Sequence, residues 1–188
     1  MRSDLHIAVY AGSFDPVTLG HLDVLRRSRG MFDKVVVAIG NNPEKPALFS
    51  FKERLEMLQT LVEQLLGDDA PGLAEVSVQS YEGLTVDFAR KVGACAIIRG
   101  IRNVSDVADE CQLAITNRQV AGIETIFIVT GEAYAYTSSS LIKQITALGG
   151  KPQQLSAIVP DLVIDALIRK QTDPNQPLSR LINDPLAE

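Results

Sequence analysis

The sequence has little of the chemistry that metal, redox and nucleic-acid sites draw on. Its two cysteines, Cys95 and Cys111, lie far apart and form no C-x-x-C, and it has only two histidines, His6 and His21, so no zinc-ligand set can be assembled. Basic residues are in the minority: 18 Lys and Arg against 23 Asp and Glu give a net charge of −5. That balance excludes broad nucleic-acid binding, which needs a basic face, but not a small basic pocket for one nucleotide. No apolar run approaches the roughly 18 residues of a membrane span. The opening residues, Met-Arg-Ser-Asp-Leu-His, carry no long apolar secretory segment. A cytoplasmic protein that binds neither membrane nor nucleic acid is expected. Two phosphate-binding fingerprints are also missing. G-x-x-x-x-G-K-[ST] is absent, and no G-x-G-x-x-G follows the first apolar run, which argues against hydride transfer.

What is present is a chain of 188 residues, 46% hydrophobic and 22% charged, long enough for one domain with a sizeable core. Apolar runs at 5–11, 34–39, 75–81, 95–98 and 125–129 read as strands, and the first two are nearly unbroken, as strands covered on both faces would be. His6 falls near the start of the first, as a strand-end residue. Helical stretches separate the strands: 19–32, then one running to about 66 behind a Ser50/Glu53 capping box, then 85–92 closed by Gly93. A fourth runs from Ser105 or Asp106 to about Val120, a fifth over 141–148 with Gly149 and Gly150 as its stop, and a last from Pro160 to about Lys170. This alternation predicts an α/β fold, a Rossmann-like, doubly wound, five-stranded parallel sheet with helices on both faces. One domain over 1–170 is expected, with 171–188, which contains Pro174, Pro177 and Pro185, as a loose C-terminal extension. Cys95, inside the apolar run 94–98, is expected to be a buried structural thiol.

Ligands of such sheets bind at the carboxyl ends of the strands. Five polar stretches fall at those ends: 12–21, the loop carrying Lys45, 81–84, 99–102 and 137–140. Their convergence points to one shared site. In the first stretch Gly12 permits close backbone approach, Ser13 offers a hydroxyl, and Thr18-x-Gly20-His21 sets an imidazole at a helix start. The missing side chain at Gly20 leaves room for a base or a phosphate, and the imidazole can donate to charge developing on a transferring phosphoryl group. On the residues alone, an N-cap turn with an incidental histidine is the competing reading.

Gly12-Ser-Phe-Asp-Pro16 with Thr18-Leu-Gly-His21 resembles the first signature of the nucleotidyltransferases with an H-x-G-H or T-x-G-H motif. Thr137-Ser-Ser-Ser-Leu-Ile-Lys143 resembles their second, I-S-S-S-x-[IVL]-[RK]. Within that superfamily, Lys45, Ile98-Arg-Gly-Ile-Arg102, and Glu110-x-Gln112-Leu-Ala with Asn117 are similar to the phosphopantetheine adenylyltransferases, and the resemblance covers about 5–168. It implies transfer of AMP from ATP to 4′-phosphopantetheine, giving dephospho-coenzyme A and pyrophosphate by direct in-line displacement with Mg²⁺. It also implies a homohexamer and possible feedback by coenzyme A. Carried onto this chain, the resemblance implies His21, Lys45 and Arg99 as the catalytic residues: His21 on the α-phosphate, Lys45 bridging the two reacting phosphates, Arg99 on the phosphate of phosphopantetheine or nearby ATP oxygens. Ser13, Phe14, Gly100, Arg102, Glu110, Thr137, Ser138, Ser139 and Ser140 would contact ATP. Ser13, Leu84, Thr85 and Asn117 would face the second substrate. The resemblance places no carboxylate to hold the metal.

Each assignment has a plainer alternative. The plainer reading makes Lys45 a solvated loop lysine, Arg102 a surface partner of Asp106 or Asp109, Glu110 an exposed helix carboxylate, and Ser138 to Ser140 an N-cap cluster. A sibling nucleotidyltransferase acting on nicotinamide mononucleotide or using CTP, and a non-catalytic nucleotide-binding module, are the competing functions. The chain also departs from the pattern: Pro46 follows the loop lysine where many members have a second basic residue, and Asp109 stands where an aromatic is common. The run 144–149 lacks an arginine that some members send to the triphosphate.

Overall fold

The computed structural model describes residues 5–40, 47–67, 72–173 and 178. The strands are β1 (Ile7–Gly12), β2 (Lys34–Gly40), β3 (Glu75–Tyr81), β4 (Ala96–Ile101) and β5 (Glu124–Val129), and the helices are α1 (Leu19–Ser28), α2 (Phe51–Leu66), α3 (Thr85–Lys91), α4 (Val104–Ala121), α5 (Ser139–Ala147) and α6 (Asp161–Thr172). All neighbouring strands are parallel, in the order β3-β2-β1-β4-β5. The expected doubly wound, five-stranded sheet is therefore the observed one.

The unbroken apolar character of β1 and β2 follows from burial on both faces. Alternate β1 residues enter two cores. Ala8 and Tyr10 pack with Leu25 of α1, Leu58 of α2 and Leu167 of α6, whereas Val9 and Ala11 pack with Phe88 of α3 and Ala121 of α4. Among the described residues no helix is long and apolar enough to cross a membrane.

The topology places a crevice. The order reverses at β1: β2 lies on one side of it and β4 on the other. The β1–β2 register runs to Gly12↔Ile39, but the β1–β4 register stops at Tyr10↔Ile98, while β4 keeps pairing with β5 to Ile101↔Val129. Past Tyr10 and Ile98 the two central strands part, so their carboxyl ends open a gap.

Several boundaries differ from the sequence reading, each for a local reason. α1 stops at Ser28 rather than 32, because the Ser28 hydroxyl donates back to the Leu25 carbonyl and the chain turns to bring the Asp33 N–H to the His6 carbonyl. β4 runs on to Ile101, so Arg99 and Gly100 are strand residues paired with Phe127 and Ile128 rather than part of a loop. α4 begins at Val104 because Asn103, not Ser105 or Asp106, caps it by accepting from the Asp106 N–H at 3.1 Å, and Gly122 ends it with φ of 66°. α5 starts two residues early, capped by Ser138. The Ser50/Glu53 capping box of α2 is present as read.

Cys95 is a correction. It is exposed, not buried. It precedes β4, and its N–H and thiol both donate to the Ile7 carbonyl, at 2.8 and 3.3 Å, at the amino-terminal edge of the sheet. An apolar run shows that a strand is near, not that its first residue is covered.

α6 runs to Thr172, and Gln171 donates to the Thr146 and Gly150 carbonyls at 2.8 and 2.7 Å. Leu178 packs against the larger core. The other tail positions, including Pro174, Pro177 and Pro185, lie outside the described residues.

Candidate active site at the β1–β4 crevice

The gap between β1 and β4 widens into a cavity of about 340 Å³ lined by the ends of both strands, the start of α1, Glu110 of α4, the segment after β5 and the first turn of α5. Of the expected site residues it gathers Ser13, Phe14, His21, Arg99, Gly100, Arg102, Glu110, Thr137, Ser138, Ser139 and Ser140.

The β1 end turns sharply. Phe14 adopts φ of 47°, and its ring folds back so that a side chain at Gly12 would meet it at 3.2 Å. The Phe14 ring is buried, edge-on to Tyr10 at 5.5 Å and to His21 at 5.2 Å between centroids. It is a wall behind the imidazole. The Ser13 carbonyl is held from outside the cavity by Arg54 Nη1 at 2.9 Å.

Thr18 and His21 form a reciprocal cap at the start of α1. The Thr18 hydroxyl oxygen accepts from the His21 N–H at 3.3 Å, and the Thr18 N–H donates to His21 Nδ1 at 3.0 Å. A backbone N–H can only donate, so Nδ1 must be unprotonated, and the ring proton resides on Nε2. The pKa is pushed down to about 4, first by burial and then by the Arg102 and Arg99 charges. At neutral pH this half-buried side chain is a neutral N–H donor in the cavity wall.

Gly20 lines the cavity, and a Cβ there would sit 3.3 Å from Tyr134 Cβ, so its bareness also accommodates the 3-10 turn Glu132–Tyr134. Gly100 likewise lets β4 approach α1, since a Cβ would lie 3.1 Å from Val24 Cγ2.

Both arginines are held by carboxylates of α4. Arg99 makes a two-pronged pair with Glu110, Nε–Oε2 at 2.7 Å and Nη2–Oε1 at 2.5 Å, and its Nη1 donates to the Ala11 carbonyl at 2.9 Å across the gap. Burial works against the Arg99 charge, but Glu110 more than offsets it, so its pKa lies above the ordinary value. Arg102 donates to Asp106 through Nε and Nη2, both at 2.8 Å, and to the Thr137 carbonyl through Nη1 at 2.8 Å. Burial would raise the Asp106 carboxyl, but the bonds from Arg102 bring it below its usual range. Arg102 thus has the Asp106 partner left open by the sequence and still lines the cavity. Glu110 is a paired, mostly buried carboxylate, not an exposed one.

α5 closes the opposite side. Ser138 is its N-cap, accepting from the Leu141 N–H at 3.0 Å, and the Ser139 hydroxyl donates to the Pro16 carbonyl at 2.8 Å. The first-turn N–H groups of Ser139 and Ser140 have no intrahelical acceptor and belong to the positive end of the helix. The serine run is therefore a cap cluster at a helix end whose first-turn N–H groups border the cavity.

Three expected residues are not in the cavity lining. Leu84 caps α3 and is 60% exposed, Thr85 Oγ1 lies 2.7 Å from the Tyr81 hydroxyl, and Asn117 is buried on α4. Lys45 and Pro46 lie outside the described residues. The lining also contains Tyr10, Val24, Thr130 and Tyr134, which no motif marked. Thr130 Oγ1 is buried without a hydrogen-bond partner. Among the described residues no group of three or more His, Cys, Asp or Glu could hold a metal ion, and the carboxylate in the cavity lining, Glu110, is paired with Arg99. Side chains of the described residues thus do not fit a resident Mg²⁺.

Chemically, the cavity combines two arginines with matched carboxylates, a helix N-terminus and a neutral imidazole donor. That set suits binding a polyanion and stabilising charge on a phosphoryl oxygen.

A cytidylyltransferase-like family model matches residues 9–145. The chain is 45% identical over 170 residues to a phosphopantetheine adenylyltransferase of Rhodopirellula baltica, with 90% of each chain covered. It is 44% identical over 167 residues to one of Caldanaerobacter subterraneus, covering 88% of this chain and 98% of the relative. Among solved structures, Plasmodium falciparum nicotinic acid mononucleotide adenylyltransferase complexed with NaAD superposes with a TM-score of 0.62 at 15% identity, over 89% of this chain and 97% of that one. A bifunctional NMN adenylyltransferase/ADP ribose pyrophosphatase of Francisella tularensis gives 0.64 at 18%, over 95% of this chain and 52% of that one. Those two share the fold. With 44–45% identity over about nine-tenths of its length, the chain belongs to the phosphopantetheine adenylyltransferase family, within the cytidylyltransferase-like nucleotidyltransferases.

Proposed function

We propose that this chain transfers the adenylyl group of ATP to the phosphate of 4′-phosphopantetheine. A phosphate oxygen of phosphopantetheine attacks the α-phosphorus of ATP in line with the bond to the bridging oxygen. That bond breaks, pyrophosphate leaves, and dephospho-coenzyme A is formed. The nucleophile is already an anion, so no activated side chain is needed. The protein aligns two anions and stabilises charge between them. The observation that carries this reading is the Thr18–His21 lock, which leaves the ring proton on Nε2 of an imidazole that lines the same cavity as the α5 N-terminus. His21 Nε2–H would donate to an α-phosphoryl oxygen, the Ser139 and Ser140 N–H groups would take the β- and γ-phosphates, and Arg99, with Lys45, would hold the attacking phosphate. Arg102, Gly100 and Glu110 would border the adenosine. ATP would enter as its magnesium complex, the ion held by phosphates and water. Coenzyme A, one phosphate larger than the product, would act as a feedback ligand, and the reaction would run in the cytoplasm, where ATP is made and used.

The test is pyrophosphate release. The protein mixed with ATP, Mg²⁺ and phosphopantetheine is expected to release pyrophosphate and form dephospho-coenzyme A. Release only with nicotinamide mononucleotide, or only from CTP, would overturn the reading.

We also infer a homohexamer. α4 supports self-association: of its 18 residues only Asn117 and Ala121 are buried within the chain, while Val104, Leu113, Ile115 and Val120 are exposed. Sedimentation is expected to give a six-chain particle against 20.4 kDa for one chain, and a monomer would contradict it.

A further inference from the structure

Lys143 closes the second signature, yet it is absent from the cavity lining. Its Nζ lies 3.6 Å from Asp15 Oδ2, with the two side chains 12% and 5% exposed. Asp15 belongs to the first signature, and both its oxygens have further commitments. Oδ2 accepts from the Leu48 N–H and Oδ1 from the Phe49 N–H, each at 2.9 Å. One turn earlier on the same face of α5, the Ser139 hydroxyl donates to the Pro16 carbonyl at 2.8 Å. Residues four apart on one helix thus grip two consecutive residues of the first loop.

We propose that Asp15 and Lys143 are positioning residues that set the separation between the two walls of the transfer site. One wall is the loop carrying Ser13, Thr18 and His21; the other is the α5 N-terminus. The Asp15 carboxylate spans them and also ties in the segment that leads into α2. A buried acid with two backbone donors needs a cation to balance its charge, and Lys143 supplies it from the opposite wall. In-line transfer depends on the distance between the His21 donor and the groups on the leaving phosphates, so a slip of about 1 Å between the walls lowers the rate of the chemical step by roughly 10²-fold. The Lys143 charge is spent on that geometry and not on the substrate.

The inference rests on the adenylyl-transfer reading, and wild-type turnover in the same assay reports on that reading separately. Lys143→Met is expected to lower kcat at least tenfold while the Kd for ATP, measured by titration below the unfolding temperature, moves less than threefold. A direct phosphate ligand would do the reverse. A kcat loss short of tenfold, or an ATP shift beyond threefold, overturns the proposal. In the double variant Asp15→Asn with Lys143→Met, kcat is expected to be no lower than in the worse single variant, because both act on one contact. Multiplicative losses contradict that. Should Asp15→Asn fail to fold, the split between kcat and Kd in Lys143→Met decides alone.

Discussion

His21→Ala is expected to lower kcat by at least about 10²-fold, the loss typical of removing one preorganised donor from a reacting oxygen, with a much smaller change in ATP affinity. The asymmetry follows from the geometry. Nδ1 is committed to the Thr18 N–H, so the ring presents Nε2–H in one fixed orientation. A donor fixed in advance gains most when charge builds on the α-phosphoryl oxygens in the transition state. Steady-state kinetics with a separate ATP titration checks this, and equal losses in kcat and affinity would contradict it. The lowered pKa adds a second readout. With the ring held near 4 by burial and by Arg102 and Arg99, His21 stays neutral from pH 8 to 5, and its NMR signals are expected to titrate near 4. Between about 6.5 and 4 the unfolded chain would bind the proton and the folded chain would not. This group's contribution to stability is therefore constant above about 6.5 and falls as the pH drops through that window. A signal titrating near 6.5 in the folded protein would mean that the ring is solvated and away from the two arginines.

The strands and the site corner were legible because they rest on local pattern. Runs covered on both faces are nearly unbroken, and caps and glycine stops are short-range, so β1, β2, α2 and the Thr18–His21 turn could be placed directly. Of the five polar stretches at strand ends, 12–21, 99–102 and 137–140 contribute to the cavity lining, 81–84 does not, and the Lys45 loop lies outside the described residues. What could not be read is contact across the chain. Nothing near Gly20 signals that Tyr134, more than a hundred residues on, fills the space beside it. Sequence adjacency offered Asp106 or Asp109 to Arg102, and helix periodicity could not choose between them; the Thr137 carbonyl settles the orientation by taking Nη1 while Asp106 takes Nε and Nη2. Cys95 failed for a related reason, since burial depends on which strand end a helix covers. Asp15 read as a turn residue within a signature, although its carboxylate reaches Leu48, Phe49 and Lys143.

Arg99→Ala is expected to cost at least about 10²-fold in kcat/KM for phosphopantetheine, and more than the loss of one cation explains. The Arg99 guanidinium is balanced by Glu110, whose side chain is only 15% exposed. Deleting the arginine leaves a mostly buried carboxylate unpaired beside the place where the substrate phosphates would sit. That charge repels both anions and is itself poorly solvated. Adding Glu110→Gln removes the repulsion, so the double variant is expected to recover about tenfold over Arg99→Ala while staying below wild type. The single change Glu110→Gln separates the two roles of the carboxylate. If it serves mainly to balance Arg99, neutralising it frees the guanidinium for the incoming phosphate and KM for phosphopantetheine falls. If it serves mainly to border the adenosine, KM for ATP rises instead. Measuring both KM values in the three variants resolves the pair. An Arg99→Ala defect that Glu110→Gln leaves unchanged would show that the substrate phosphate binds beyond the reach of both groups.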